Sequence, residues 1–183
     1  VGSLARSSGD ALEVERRDDL EPGVEIHRLH RADLYFDHWH KGRAPAVTAA
    51  LRRILCAERP DVMHLHHWLR LSSDLVLAAS REGVPSVVTL HDFTASCPLV
   101  FRVRPESGAQ CESVAGPHPC VACAGRVAPR TPWVEPAQGY VWFAERQLEL
   151  ARELDLARAL IVPSAAHRAA LATFLGRAEL AAE

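Results

Sequence analysis

Polar side chains follow three predicted strands of this sequence, at the point where each strand ends. In parallel α/β sheets, ligands bind beyond the carboxyl ends of the strands. Imidazole, carboxylate and hydroxyl groups brought to one such edge can form a binding or catalytic site. Polar residues also begin ordinary loops, but a His-Asp pair directly after an apolar strand favours a functional site. The candidates are His66 and His67 after one strand, His91 and Asp92 after the next, and Ser164 after the last.

The histidines of this predicted edge suit a hydroxyl-rich ligand. Near neutral pH an imidazole can donate and accept hydrogen bonds, and a nearby carboxylate can fix its tautomer. Such a group can orient a substrate or act as a general acid or base. We therefore predict that His91 and Asp92 are catalytic, although neighbours in sequence need not form a dyad. We predict that His66, His67 and Ser164 bind substrate.

A further histidine, His64, lies two residues before His66 and therefore on the same face of its strand. A His-x-His pair can ligate a metal ion. On a buried strand, however, a hydrogen-bonded core histidine is the interpretation that we favour for His64.

Four of the five cysteines crowd into one stretch, as Cys97, Cys111, Cys120 and Cys123. Four thiolates can complete a tetrahedral zinc site, and zinc would order a loop that has no core of its own. His118 is a candidate replacement ligand. A disulfide, or free cysteines beside a ligand site, are the alternatives. A thioredoxin-like role is disfavoured because prolines surround this CxxC and it does not open a helix after a strand.

The remaining cysteine and the overall composition indicate a single soluble domain over residues 1–183. Cys56 falls in a predicted helix, where we expect a buried structural thiol. The clustered, odd-numbered cysteines differ from a secreted disulfide scaffold, so we expect a reducing, cytoplasmic location. A net charge of −2 argues against nucleic-acid binding. No apolar run approaches the roughly 18 residues that cross a bilayer, although peripheral membrane association stays open.

Apolar periodicity predicts the elements that position these groups. Strands are expected near residues 24–29, 61–65, 86–90 and 159–163. Helices are expected near residues 45–59, 72–80, 140–156 and 165–175. Residues 30–43 are expected to form a loop, and residues 93–137 an irregular insertion rich in cysteine and proline. The alternation predicts an α/β fold, a Rossmann-like parallel sheet with helices on both faces.

Several stretches of the sequence resemble motifs of one enzyme family. PDVMHLH at residues 60–66 is similar to a PDvvHvH strand, and PSVVTLHD at residues 85–92 to a P-x-v-x-T-x-HD strand. ALIVPS at residues 159–164 is similar to the strand before an interdomain crossover. Cys97-Pro98 and the later cysteines match a subgroup with a Cys-rich insertion. Together they resemble the N-terminal domain of a retaining GT-B glycosyltransferase, of the group 1, family four kind.

The resemblance implies one half of a GT-B fold and transfer of a sugar from a nucleotide-sugar donor. It implies that His91 faces the transferred sugar, while this domain shapes the site of the acceptor. The acceptor could be a lipid carrier, a polysaccharide or a small molecule. No catalytic metal is implied, so a zinc ion held by the cysteines would be structural.

Two parts of the family pattern are not found in the sequence. The first strand with its Gly-Gly loop is absent, and residues 1–4 match the second strand instead. The C-terminal Rossmann domain, which in the family holds the nucleotide-sugar, is absent too. We therefore expect a fragment that is inactive alone. The alternatives are a noncatalytic, zinc-stabilised module that binds a ligand or protein, and another Rossmann-like enzyme.

Overall fold

The computed structural model describes residues 1–5, 12–31, 42–127 and 136–181. Their strands are β1 (Gly2–Ala5), β2 (Leu12–Glu21), β3 (Val24–Arg31), β4 (Met63–Leu65), β5 (Ser86–Thr89) and β6 (Ala159–Ile161). Their helices are α1 (Pro45–Glu58), α2 (Leu75–Arg81), α3 (Pro117–Val127), α4 (Pro136–Leu156) and α5 (Ala165–Leu175), followed by a 3-10 turn at Ala178–Ala181. No helix in these described ranges is long and apolar enough to cross a membrane.

A parallel sheet of order β4-β5-β6 carries the strand ends singled out in the sequence. Leu65 pairs with Val88, and Val88 pairs in turn with Leu160. Val88 is fully buried, as expected for a short β-branched strand covered on both sides. The predicted α/β class, a parallel sheet flanked by helices, is confirmed.

A second sheet, of order β1-β3-β2, contains the strand predicted at residues 24–29. Strand β3 pairs in parallel with β1 and antiparallel with β2, through a turn in which Gly23 has a φ of +78°. The expectation that this strand joins the parallel sheet was wrong. Because β1 and β2 occupy both edges of β3, it has no edge left for β4.

Helix α1 shows why the expected burial of Cys56 was wrong. Pro45 stands in its first turn, where no backbone N–H is needed, and Arg59 in the left-handed region ends it. The helix buries a stripe at helical spacing, and Cys56 lies beside that stripe and is exposed. Its Sγ donates a hydrogen bond to Glu82 at 3.1 Å. The buried residues are Val47, Ala50, Leu51 and Leu55.

The segment expected to be irregular contains more structure than its composition suggested. Residues 117–127 form helix α3, and α4 already begins at Pro136. Residues 128–135 of that segment lie outside the described residues, as do residues 32–41 of the predicted loop. The end of the chain follows the prediction: Ser164 caps α5, and Gly176, with a φ of 65°, ends it.

The hydrophobic core joins the parallel sheet to helices α1, α2 and α4. The sheet contributes Leu65 and Val88 to this core. The three helices contribute, among others, Leu51 from α1, Val76 from α2 and Leu150 from α4. Helix α2 packs against both α1 and α4. Burial on this scale holds the parallel strands at fixed positions, so the residues just beyond their carboxyl ends are held as well.

Candidate functional site

The parallel register of β4 and β5 brings four side chains into one row. His64 Nε2 lies 2.7 Å from Thr89 Oγ1, and His66 Nδ1 lies 2.7 Å from His91 Nε2. Both pairs join residues 25 positions apart. Side chains two residues apart on a strand share a face, so one register sets both contacts. The expected hydrogen bond of His64 is confirmed, although this histidine is exposed, not buried in the core.

The contact between His66 and His91 forms the exposed end of this row. Their rings are nearly parallel, at 13°, with centroids 5.0 Å apart. One ring must donate an N–H and the other must accept it, so at least one imidazole is neutral. Desolvation and the neighbouring His64, His91 and His67 lower the pKa of His66 below its ordinary value of 6.5. The His66 ring is therefore mostly uncharged at neutral pH.

Asp92 sits beside this row and contacts His67. His67 Nε2 lies 3.2 Å from Asp92 Oδ2, and the Thr94 backbone N–H donates to Asp92 Oδ1 at 2.8 Å. Burial alone would raise the pKa of Asp92, but the hydrogen bonds from His67 and Thr94 lower it to about 2. The same bond raises the pKa of His67. Asp92 is thus a fixed carboxylate that orients His67, whose ring lies 6.2 Å from that of His91.

Ser164 uses its hydroxyl within its own helix. It follows β6 at the same carboxyl edge of the sheet, where its Oγ accepts the His167 backbone N–H at 3.1 Å. The ring of His167 stacks on Phe93, 4.6 Å away, which ties the first turn of α5 to the segment after β5. The structure thus joins His66 to His91 and His67 to Asp92, while Ser164 acts as a helix cap at the same edge.

Two threonines complete the site and were not singled out from the sequence. Thr89 holds His64, and Thr94 holds Asp92 through its backbone. The sequence could have indicated Thr89, because Thr89 precedes His91 by two residues just as His64 precedes His66. Thr94 had a weaker one, because an Asp commonly accepts the N–H two residues later in a turn.

All four clustered cysteines line one cavity, away from this row of histidines. The thiols are free, and Cys97 is buried. Burial and the neighbouring thiols raise the pKa of Cys120 and Cys123, unlike the lowered pKa of a redox-active CxxC. His118, the candidate replacement ligand, is exposed with its ring 6.5 Å from that of Tyr140, and it is not among the residues lining the cavity.

A different group of potential ligands lies where β3 begins and α1 ends. Glu25, His27 and Glu58 each place one ligand atom within 4.8 Å of the others. His27 Nε2 approaches Glu25 Oε1 at 2.6 Å and Glu58 Oε1 at 3.7 Å. Glu58 is exposed, and exposed acidic groups are common without a metal ion, so we assign no ligand to this group.

The sequence profile of Glycosyltransferase Family 4 matches residues 3–180. The chain belongs to this family. The match includes both sheets, the row of histidines and the segment with the four cysteines. Neither a curated protein nor a solved structure matches the chain significantly. For a Glycosyltransferase Family 4 domain, an edge of exposed imidazoles beyond parallel strands is chemistry suited to sugar hydroxyls, which both donate and accept hydrogen bonds.

Proposed function

We propose that this chain is the acceptor-side domain of a retaining glycosyltransferase that uses a nucleotide-sugar donor. The observation that carries the proposal is the hydrogen bond between His66 and His91 at the open edge of the sheet. It occupies Nε2 of His91 and leaves Nδ1 to face a ligand. His91 would bind the transferred sugar, and His66 would hold its ring in place.

The uncharged state of His66 suits glycosyl transfer. Positive charge develops on the sugar ring as the bond to the leaving group lengthens. The lowered pKa of His66 keeps its ring neutral at working pH, so no imidazolium of this residue opposes that charge. A neutral imidazole can still accept a proton from a sugar hydroxyl or donate to it.

Asp92 supports the site through His67. Its carboxylate is ionised across the physiological range, because its pKa is held at about 2. It fixes the orientation of the His67 ring, and we propose that His67 lines the acceptor side of the cleft. Ser164 would contribute mainly by starting α5 at this edge.

The nucleotide and its diphosphate would be bound by a second Rossmann-like domain, which the described residues do not include. The acceptor would be a lipid carrier, a polysaccharide or a small molecule that offers a hydroxyl group. The enzyme would work in the cytoplasm, with peripheral contact to a membrane if the acceptor is a lipid. Without the second domain, the 183-residue chain alone should not transfer sugar.

The proposal is tested by product analysis of the full natural protein. The protein is incubated with a panel of nucleotide-sugars and acceptors, and release of nucleoside diphosphate is followed together with the product. We expect transfer with retained anomeric configuration, measured by NMR of the product. Ligand binding without any transfer would assign the domain to a noncatalytic module, and an inverted product would exclude the retaining mechanism.

A further inference from the structure

Three separate stretches of chain bring four thiols to one cavity. Cys97 comes from the segment after β5, and Cys111 directly follows Gln110, which forms a β-bridge with Val103. Cys120 and Cys123 lie three residues apart on α3, so they share one face of that helix. All four line a cavity of about 160 Å³. Thiols that are 14, 9 and 3 residues apart in sequence meet here because the chain folds around this space.

Buried positive charge surrounds these thiols. Arg102, which is 2% exposed, lines the cavity and donates to the carbonyl oxygens of Ser96, Cys111 and Ser113. Its Nε has no hydrogen-bond partner. Arg146, which is 6% exposed, donates to Thr94 and has an unpartnered Nη1.

Among the described residues, the partners of these two arginines are carbonyl oxygens and, for Arg102, the ring of Phe174 at 3.7 Å. Arg146 is held near Cys97 by its hydrogen bond to the carbonyl of Thr94, three residues earlier in the chain. Within the described ranges, neither Arg102 nor Arg146 forms an ion pair with a carboxylate. Glu106 and Arg104 also line the cavity, but both are exposed. Burying a cation without a counterion is costly, so a negative group in this cavity would stabilise the buried arginines.

We propose that Cys97, Cys111, Cys120 and Cys123 bind one structural zinc ion. Each thiol would lose its proton on binding, so four protons leave as Zn²⁺ enters. The resulting tetrathiolate centre carries a net charge of about −2, which matches the two guanidinium groups. Thiolate ligands favour a soft or borderline metal over Mg²⁺ or Ca²⁺. The tetrathiolate centre that forms when the metal binds would therefore balance the charge of this buried site.

The sulfur atoms must move closer together for this site to form. Zinc needs Zn–S distances of about 2.3 Å. Among the described residues, the group whose three ligand atoms lie within 4.8 Å of one another is Glu25, His27 and Glu58. The sulfur atoms of the four cysteines are not yet that close together. Rotation of the cysteine side chains between staggered rotamers is the movement available without refolding the backbone. The cavity between them provides the space for that rotation and for the ion.

The zinc ion would fix the chain segment that follows the histidine row. The Cys97 backbone N–H donates to the Phe93 carbonyl at 2.7 Å, and Phe93 directly follows Asp92. Arg146 links the same segment to α4 through Thr94. A metal bound at Cys97 would therefore hold the loop that carries His91 and Asp92. This inference concerns stability of the fold and stands independently of the proposed sugar transfer.

The test is a metal analysis of the full protein, purified without chelators or added metal. We expect about one zinc per chain, with X-ray absorption showing sulfur ligands alone. Removal of the metal by a chelator should expose four additional thiols to alkylation and lower Tm. Substitution of Co²⁺ should give the visible absorption of a tetrahedral thiolate site. These measurements on the wild type do not depend on any variant folding.

Variants then assign the ligands. C120S and C97S should lose most of the bound metal, whereas C123H should retain it because histidine is also a zinc ligand. C56S is the matched control, since Cys56 is exposed and lies on α1, and it should keep the full metal content. Protein without metal, whose four thiols alkylate freely or are oxidised to disulfides, would overturn the proposal. Iron with acid-labile sulfide, or equal metal loss in C56S, would overturn it as well.

Discussion

A buried carboxylate on α4 determines the stability of α2, and its removal gives a sharp prediction. Glu153 is fully buried, and its Oε2 accepts hydrogen bonds from Trp68 Nε1 at 2.9 Å and from the Val76 N–H at 2.6 Å. Its Oε1 accepts from the Leu77 N–H at 2.9 Å. These bonds satisfy the N-terminus of α2, because Asp74 at the N-cap makes no side-chain capping bond.

Glu153→Leu removes both acceptor oxygens and their three hydrogen bonds, and it leaves two buried N–H groups and one partly buried N–H group without partners. A buried donor without a partner costs about 1–3 kcal/mol. Partial relaxation lets one donor find water or another acceptor, so we expect a loss of about 3–5 kcal/mol in the free energy of unfolding. Glu153→Gln keeps one acceptor oxygen but directs an amide NH₂ at a donor, so we expect about 1–2 kcal/mol.

The assay is urea unfolding at 25 °C, monitored by far-ultraviolet circular dichroism. Glu145→Leu is the matched control, because Glu145 is exposed on the same helix, and it should change stability by less than about 0.5 kcal/mol. A Glu153→Leu protein as stable as the control would refute the reasoning, because the three N–H groups would then have other partners.

Three further predictions concern pH and backbone conformation. Because the folded pKa of Asp92 is depressed from 3.8 to about 2, its stabilisation is complete above pH 4 and is lost as the pH falls through that window. Asp92→Asn should cost about 1–2 kcal/mol at pH 7, after allowing for the partial exposure of Asp92, and should lower the pKa of His67 in an NMR titration. His66 should titrate below 6.5, and sugar transfer should fall as the pH drops through that pKa, because an imidazolium at His66 would oppose the positive charge that develops on the sugar ring; a flat pH–rate profile would contradict this. Gly176→Ala should lower stability by about 1 kcal/mol in thermal unfolding, since Gly176 has a φ of 65° at the end of α5; an unchanged Tm would contradict that strain.

The sequence alone could predict the strands and helix ends that depend on neighbouring residues. The strands at β4, β5 and β6 follow from short apolar runs, and the parallel edge then places His66 near His91. Ser164 and Gly176 follow from the preferences of helix ends. These features need no knowledge of distant partners, and the structure agrees with each of them.

The features that the sequence did not predict depend on partners far away in the chain. Glu153 caps α2 from 77 residues beyond Val76, while Ser72, Ser73 and Asp74 offered a local cap instead. The division into two sheets depends on which strands pair with β3, and the periodicity of apolar residues carries no information on strand pairing. Helix α3 was missed because prolines suggested a loop. Pro117 and Pro119 lie in its first turn, where proline is tolerated.

The central claim is that His91 contacts the transferred sugar, and one kinetic comparison tests it most directly. The measurement is kcat/KM for sugar transfer by the full natural protein, for wild type, His91→Ala and His118→Ala, each with its Tm. His118 is an exposed histidine away from the row, so its variant controls for loss of an imidazole. We expect His91→Ala to lower kcat/KM by about 10²-fold with little change in Tm, and His118→Ala to leave both unchanged. Transfer by His91→Ala at the rate of the control would contradict the claim.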